Sequence, residues 1–146
     1  MATKVSAVLR HKGHQVVTVA PDQTIAAVAS LLTLNRIGAA PVINQEGRLV
    51  GIISERDIVR GLSENGATTL TLPAERLMTR EVKTCAAGDL LVEVMSVMTN
   101  QRVRHLPVVQ NGAIDGIVSI GDVVKQRLDE VQFEVEELRR YVSGAA

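Results

Sequence analysis

The segment Gly51-Ile52-Ile53-Ser54-Glu55-Arg56-Asp57 returns 65 residues later as Gly116-Ile117-Val118-Ser119-Ile120-Gly121-Asp122. Each copy contains a glycine, a short apolar strand, a serine, two spacer residues and an aspartate that opens an amphipathic helix. The serine hydroxyl and the aspartate carboxylate therefore meet at a strand-to-helix turn. Such a turn suits the hydroxyl groups of a ribose.

The duplication extends well beyond this motif. At an offset of 66, residues of the first copy fall on identical residues of the second without a gap: Val16, Thr18, Ala20, Val28, Ser30, Thr33, Arg36 and Val42 on Val82, Thr84, Ala86, Val94, Ser96, Thr99, Arg102 and Val108. After the shorter turn at Asn111-Gly112 the offset becomes 65, and the two glycine-to-aspartate motifs coincide. The chain is therefore two copies of one module.

Each copy predicts the element order β-α-β-β-α. In the first copy, β-branched residues at 15–19 predict a strand, and Asp22 is the expected N-cap of a helix that Gly38 ends. Strands at 40–43 and 49–54 are joined by a turn, and Asp57 opens a helix to about Leu62. A threonine-rich stretch at 63–72 predicts an exposed linker, and Pro73 begins a short helix that ends near Met78.

The predicted fold class is α/β, with two pseudo-symmetric β-α-β-β-α repeats packed sheet to sheet about a pseudo-twofold axis. One copy alone is too small to bury a sufficient core. We divide the chain into a first repeat (1–62), a linker (63–74), a second repeat (75–127) and a C-terminal helical extension (128–146).

Composition excludes several classes of function. Sixteen basic residues balance sixteen acidic ones, and the chain has one Tyr, one Phe and no Trp, which argues against nucleic acid or an anionic membrane as the partner. The single Cys85 fits a small core residue in a reducing compartment. With no apolar run long enough for a membrane span or a secretory signal, we expect a cytoplasmic protein.

Catalytic and metal chemistry have little support in the sequence. His11 and His14 are three residues apart but have no cysteine or carboxylate beside them, so we predict no metal site. Helical serines and threonines have no histidine base at a recognisable spacing. The chain is therefore predicted not to be an enzyme.

The C-terminal segment has an uninterrupted apolar seam. Its residues are spaced alternately by four and three: Val124, Leu128, Val131, Val135, Leu138 and Val142. This spacing predicts a long amphipathic helix of coiled-coil type. Two alternatives stay open: the helix lies back over its own module, or its seam packs against a second subunit.

The repeated Pro41-Val42 and Pro107-Val108 steps, each followed by the Gly-to-Asp motif, resemble the tandem CBS domain, in the small stand-alone bacterial form. The resemblance covers about residues 5–127. It implies a cleft that binds adenosine-containing ligands such as AMP, ADP, ATP, NAD(H) or S-adenosylmethionine, and modules that meet as a homodimer to regulate an unknown protein target.

By the same resemblance, the Ser-to-Asp turn of one copy holds the ribose, while the other copy contacts base and phosphate. The ligand-binding residues then form two unequal pockets. The first pocket contains Ser54, Arg56, Asp57, Val82, Lys83, Arg104, His105 and Pro107. The second contains Ser119, Asp122, Val17, Gly38, Ala39 and Pro41.

Charge distinguishes the two pockets. Where the first has Arg104 and His105, the second has Gly38 and Ala39, so phosphate-bearing ligands should prefer the first. Alternatively, the two small residues leave room for the longer tail of a dinucleotide.

Two alternatives without a ligand accompany this assignment. Asp57 and Asp122 also suit exposed helix caps, and Arg104 and His105 also suit a solvated loop. The leading hypothesis is a sensor that binds an adenosine nucleotide without catalysis. The alternative is an oligomerisation module that acts through its C-terminal helix and has no physiological nucleotide.

Overall fold

The computed structural model describes residues 3–144. Over these residues the helices are α1 (Val5–Lys12), α2 (Ile25–Asn35), α3 (Glu55–Asn65), α4 (Leu91–Gln101) and α5 (Ile120–Gly144). The strands are β1 (Ala39–Ile43), β2 (Leu49–Ser54), β3 (His105–Gln110) and β4 (Ala113–Ser119). The predicted fold class, an α/β pair of repeats with a long C-terminal helix, is confirmed.

Each repeat contains one antiparallel hairpin, β1–β2 in the first and β3–β4 in the second. The registers correspond, because Pro41 lies opposite Ile52 and Pro107 lies opposite Ile117. Equivalent residues of the duplication therefore occupy equivalent places in the two sheets.

The strand predicted at 15–19 is wrong in extent. Only Val19 pairs, as an isolated parallel bridge to Val42, and Cys85 makes the matching bridge to Val108 in the second repeat. Val19 N–H donates to the carbonyl of Pro41 at 2.9 Å, and Cys85 N–H donates to that of Pro107 at 3.0 Å. Pairing stops soon after Val19 because Pro21 has no N–H to donate.

The helix ends also differ from the predictions. Thr24, not Asp22, caps α2, because its side chain accepts a hydrogen bond from Ala27 N–H. Helix α2 ends at the left-handed residue Arg36, before Gly38. Arg102 ends α4 with the same backbone geometry, so the duplication preserves this end.

The predicted linker is ordered structure. Helix α3 runs to Asn65, followed by 3₁₀ turns at Gly66–Thr71 and Ala74–Arg76. Thr69 is fully buried, and its hydroxyl donates to the carbonyl of Gly61 at 2.8 Å. A buried hydroxyl with a satisfied partner fixes this connection against α3.

Packing crosses the order of the chain. Helix α1 precedes the first repeat, yet Val5, Val8 and Leu9 lie in the core of the second, with α4, β3 and β4. Ala74 and Met78 precede the second repeat, yet they lie in the core of the first. Each repeat is thus completed by the segment that precedes the other.

Backbone hydrogen bonds fix this exchange at both places. Leu91 N–H donates to the carbonyl of Thr3 at 2.8 Å, and Ile25 N–H donates to that of Leu72 at 2.9 Å. Leu91 and Ile25 are equivalent residues of the duplication, each the first residue of its helix. The exchanged segments therefore dock at the start of α4 and of α2.

Helix α5 leaves its seam in solvent. Val123 is fully buried in the second repeat, whereas every seam residue from Val124 to Val142 is exposed. The alternative in which the helix lies back over its own module is therefore wrong.

In the described part of the chain, no helix is both long enough and apolar enough to cross a bilayer.

The glycine of the duplicated motif leaves room for the segment that packs onto its repeat from outside it. A Cβ added at Gly51 would lie 2.9 Å from Cγ of Met78 and 3.0 Å from the carbonyl oxygen of Thr79. We expect Gly51→Ala to lower the free energy of unfolding by about 1–3 kcal/mol through overpacking. Gly88→Ala is the control, because nothing lies within 4 Å of its Cβ position. Equal midpoints of urea unfolding for the two variants would contradict this prediction.

Candidate functional site

The first Ser-to-Asp turn is a capping box at the start of α3. Ser54 is the N-cap, and its hydroxyl oxygen accepts from Asp57 N–H at 3.2 Å. The Asp57 carboxylate in turn accepts from Ser54 N–H at 2.9 Å. Reciprocal bonds of this kind satisfy two helix N–H groups and hold the carboxylate in one orientation.

Asp57 is only 5% exposed. The expectation of an exposed cap is therefore wrong for this residue. Its carboxylate pairs with Arg60 one turn later in α3, and Thr79 from the exchanged segment lies 3.5 Å away. A buried carboxylate requires such partners, since an unpaired charge is costly away from water.

The second turn repeats the cap but not the cation. Asp122 accepts from Ser119 N–H at 2.9 Å, and Ser119 Oγ accepts from Asp122 N–H at 3.1 Å. The positive partner comes from another element: Lys12 Nζ, at the end of α1, lies 2.7 Å from Asp122 Oδ2. Lys12 also donates to the carbonyl of Ile117 at 2.9 Å.

His105 lies where the two repeats meet. In its own sheet it is opposite Ser119, and a Cβ at Gly38 would be 3.5 Å from His105 Cε1 and 3.2 Å from Glu55 Oε1. The structure therefore brings His105 and Gly38, which the sequence assigned to different pockets, close to each other. Residues predicted for the two pockets therefore meet at this boundary.

Burial and neighbouring charges set the protonation state of His105 at this boundary. Burial lowers the pKa of His105 from its ordinary value of 6.5, and the Lys12 charge lowers it further, against the opposing effects of Asp122 and Glu55. His105 is therefore neutral at pH 7 and is not a cation for phosphate. Arg104 beside it is exposed.

The pKa of Asp122 moves the other way from what burial alone would give. Burial raises it, but hydrogen bonds from Lys12 and Ser119, together with the Lys12 charge, leave the net value below 3.8. Asp122 is therefore an anion throughout the neutral range.

For Cys85, burial and the charge of Asp89 raise the pKa to about 12, so this thiol is an unreactive core residue.

The other predicted site residues divide by exposure. Arg56 and Lys83 are exposed, and Val17 and Val82 are half-buried beside the bridging residues Val19 and Cys85. Pro41, Pro107 and Ala39 are buried in the hairpins. The two prolines contribute through their carbonyls, which receive the N–H groups of Val19 and Cys85.

Two surface cavities lie on the helical side of the repeats. One of about 350 Å³ lies between α2 and α3 and reaches Gly38 and Glu55 at the shared boundary. The other, about 530 Å³, lies along the start of α5 and is lined by Ile120, Gly121, Val124, Lys125, Leu128 and Asp129. It follows the exposed seam and begins at Ile120 and Gly121, the two spacer residues of the second Ser-to-Asp turn.

Sequence reasoning missed Lys12, Arg60 and Thr79 as neighbours of the two carboxylates. The duplication contains a signal for Lys12 and Thr79, because an offset of 66 places Lys12 on Met78 and Gly13 on Thr79. Recognising the signal requires knowing that each segment packs on the other repeat. Among residues 3–144, no group of three or more His, Cys, Asp or Glu is arranged to hold a metal ion.

The lowered pKa of His105 predicts a pH-dependent stability. Below pH 6.5 the unfolded chain binds a proton at this residue that the folded chain resists, so acidification destabilises the fold across that window. We expect His105→Gln to reduce the loss of unfolding free energy between about pH 7.5 and about pH 5. Urea unfolding at both values measures it, with the exposed His11→Gln as control. An unchanged loss in His105→Gln would show that the ring is not responsible.

Comparison with known proteins identifies the duplicated unit. The model of the CBS domain matches residues 5–64 and again residues 74–129. The crystal structure of the CBS-domain containing protein ATU1752 from Agrobacterium tumefaciens is 42% identical, covers 87% of this chain and 95% of that chain, and superposes with a TM-score of 0.83.

Two further relatives extend the comparison. The mitochondrial CBS domain-containing protein CBSX3 of Arabidopsis thaliana is 30% identical over 98% of this chain and 73% of its own length. The CBS domain pair of protein MJ0100, solved with 5′-methylthioadenosine and S-adenosyl-L-methionine, shares the fold, with a TM-score of 0.76, 24% identity, and coverage of 89% of this chain and 99% of that chain. The chain belongs to the CBS-domain family and carries two CBS domains in tandem.

Proposed function

We propose that this chain is a regulatory sensor that binds an adenosine nucleotide between its two CBS domains and performs no catalysis. The observation that carries the proposal is the pair of Asp carboxylates, each oriented by a serine cap and held beside a cation at the boundary of the repeats. A fixed carboxylate can accept hydrogen bonds from both hydroxyls of a ribose.

Each carboxylate has a cation that a ligand could replace. Arg60 and Lys12 pair with Asp57 and Asp122, so a ribose would exchange one set of hydrogen bonds for another. The carboxylate is never left buried without a partner during this exchange. AMP, ADP, ATP and NAD(H) all carry the required diol, and the ligands solved with the MJ0100 pair are also adenosine derivatives.

Arg104 supplies the phosphate preference of the first pocket. It is exposed, next to the neutral His105, and guanidinium groups bind phosphate oxygens in pairs. The proposal places the protein in the cytoplasm, which the single buried Cys85 supports, with a protein target that responds to ligand binding. Residues 1–62 and 75–127 remain the proposed repeats around a 63–74 linker, with 128–146 as the extension.

Calorimetry with AMP and adenosine tests the sensor. We expect the chain to bind AMP and Asp57→Asn to weaken that binding, because the amide loses the charge that strengthens the ribose contact. Arg104→Ala should weaken AMP by about tenfold or more and leave adenosine nearly unchanged, since adenosine has no phosphate.

Arg48→Ala is the control, because Arg48 lies in the β1–β2 turn away from the Ser-to-Asp turns. Equal losses for AMP and adenosine in Arg104→Ala would show that Arg104 supports the cleft instead of gripping a phosphate. No binding of AMP, ADP, ATP or NAD(H) by the wild-type chain would favour the oligomerisation module.

A specific observation favours the second candidate function, self-association through α5. The seam residues fill the a and d positions of a heptad, whereas the buried Val123 and the half-buried Gln126 and Glu130 lie at c and f positions on the other side, toward the module. The seam therefore faces away from its own repeats. A second copy of the chain is the occupant that we propose.

Charge supports a parallel pair of α5 helices in register. In that arrangement Glu134, at a g position, faces Arg139 of the partner subunit, at an e position. The two-fold symmetry of the pair produces this attraction at two equivalent places. Cavity-lining Val124 and Leu128 begin the seam, so the apolar groove along α5 would be covered in the dimer.

Sedimentation of two glutamate variants tests the dimer. Leu138 and Phe133 are each 64% exposed, but only Leu138 lies in the seam. We expect the wild-type chain and Phe133→Glu to sediment as dimers at micromolar concentration, and Leu138→Glu to shift toward monomer because a charge enters a dry contact. A monomeric wild-type chain would contradict the proposal, and dimers of both variants would assign association to another surface.

A further inference from the structure

We propose that Lys12 is the counter-ion of the second pocket, around Ser119 and Asp122, and that this pocket, called the second cleft below, admits a nucleoside phosphate that displaces Lys12 from Asp122. The pocket around Ser54 and Asp57 is called the first cleft. The ribose takes Asp122 from Lys12, and the freed ammonium binds the phosphate. This inference rests on the proposed function and assigns the second cleft a ligand class that its Gly38 and Ala39 would not suggest.

The contact geometry shows a cation already in place at the ribose carboxylate. Lys12 Nζ is 2.7 Å from Asp122 Oδ2 and 2.9 Å from the carbonyl oxygen of Ile117. Both acceptors belong to the second repeat, whereas Lys12 lies more than a hundred residues earlier in the chain. Oδ2 accepts from both Ser119 N–H and Lys12, so a diol that bonds both oxygens of the carboxylate must displace the ammonium.

Displacement of Lys12 from Asp122 requires movement of the Lys12 side chain alone. Helix α1 is held in the core by Val5, Val8 and Leu9, which are nearly inaccessible to solvent, so the backbone of Lys12 is fixed. The Lys12 side chain itself is 34% exposed. A flexible four-carbon stem on a fixed helix end can move its ammonium group by several ångströms without unfolding any element.

The first cleft is built differently at the equivalent place. There the carbonyl of Ile52 accepts from the backbone N–H of Thr79 at 2.8 Å, and Asp57 is paired by Arg60 of its own helix. In the second cleft the Lys12 side chain takes over both contacts. Only the second cleft therefore receives a mobile cation from the exchanged segment.

The ligand class follows from the charges around Lys12. His105, Asp122, Glu55 and Arg104 are the titratable groups at this boundary, and His105 is neutral at pH 7. A neutral nucleoside would take the carboxylate and leave the ammonium without its partner. A nucleoside phosphate supplies an anion in its place, so the exchange conserves ion pairs.

Calorimetry in the Asp57→Asn background, which weakens the first cleft, tests the exchange. We expect Lys12→Met to strengthen adenosine binding and not AMP binding, so the preference for AMP over adenosine falls by about tenfold. Lys12→Arg should keep the preference, because it keeps a cation on the same fixed helix. Arg10→Met, which removes an exposed charge from the same helix, should behave as the parent.

The outcomes separate this inference from the proposed function. An equal AMP preference in Lys12→Met and Arg10→Met would overturn the exchange and leave Lys12 as a structural ion pair. AMP binding that depends on Asp57 but not on Asp122→Asn would keep the sensor and overturn the inference. If neither ligand binds to the wild-type chain or any variant, both fail.

Discussion

The exchange of segments between the two repeats is the constraint on which the rest of the molecule depends. Helix α1 supplies Val5, Val8 and Leu9 to the second core, and the connection supplies Ala74 and Met78 to the first. Neither hairpin with its own two helices closes a core alone, as expected for units of this size. The two repeats are therefore held together by their own core residues and by backbone hydrogen bonds, and the boundary between them is fixed.

This exchange also builds the candidate clefts. The residues that follow the exchanged core residues, Thr79 in one case and Lys12 in the other, reach the carboxylates at the Ser-to-Asp turns. The motif glycines make the approach possible, because a Cβ at Gly51 or Gly116 would crowd Met78 or Leu9. Folding and site formation are thus the same event, and the same Gly-to-Asp motif gains a hydroxyl from Thr79 in one repeat and a cation from Lys12 in the other because different segments reach it.

The duplication made the hairpins and helix caps predictable from the sequence. The contacts between distant segments were not predictable, because they depend on tertiary packing. Glycine, serine and aspartate recur at fixed places, so the hairpins and the caps at Ser54 and Ser119 follow from local chemistry. The prediction of a strand at 15–19 was wrong in extent because it rested on the strand propensity of β-branched residues. Pairing also requires a neighbouring strand, and only Val19 has one. Lys12 was missed because its partner Asp122 is distant in the chain, and neutral His105 because its burial depends on tertiary packing.

Helix α5 gives the proposed sensor a physical route to its output. Asp122 lies in the first turn of α5, and Val124, two residues later, begins the exposed apolar seam. A ligand that replaces Lys12 at Asp122 therefore changes the contacts that hold the start of this helix against α1. The ligand can shift dimerisation only by the difference in its affinity for the paired and unpaired forms, and by linkage pairing must change ligand affinity by the same factor. Because cap and seam lie on one continuous helix, a small change in the direction of α5 at Asp122 is carried along all six seam residues to Val142.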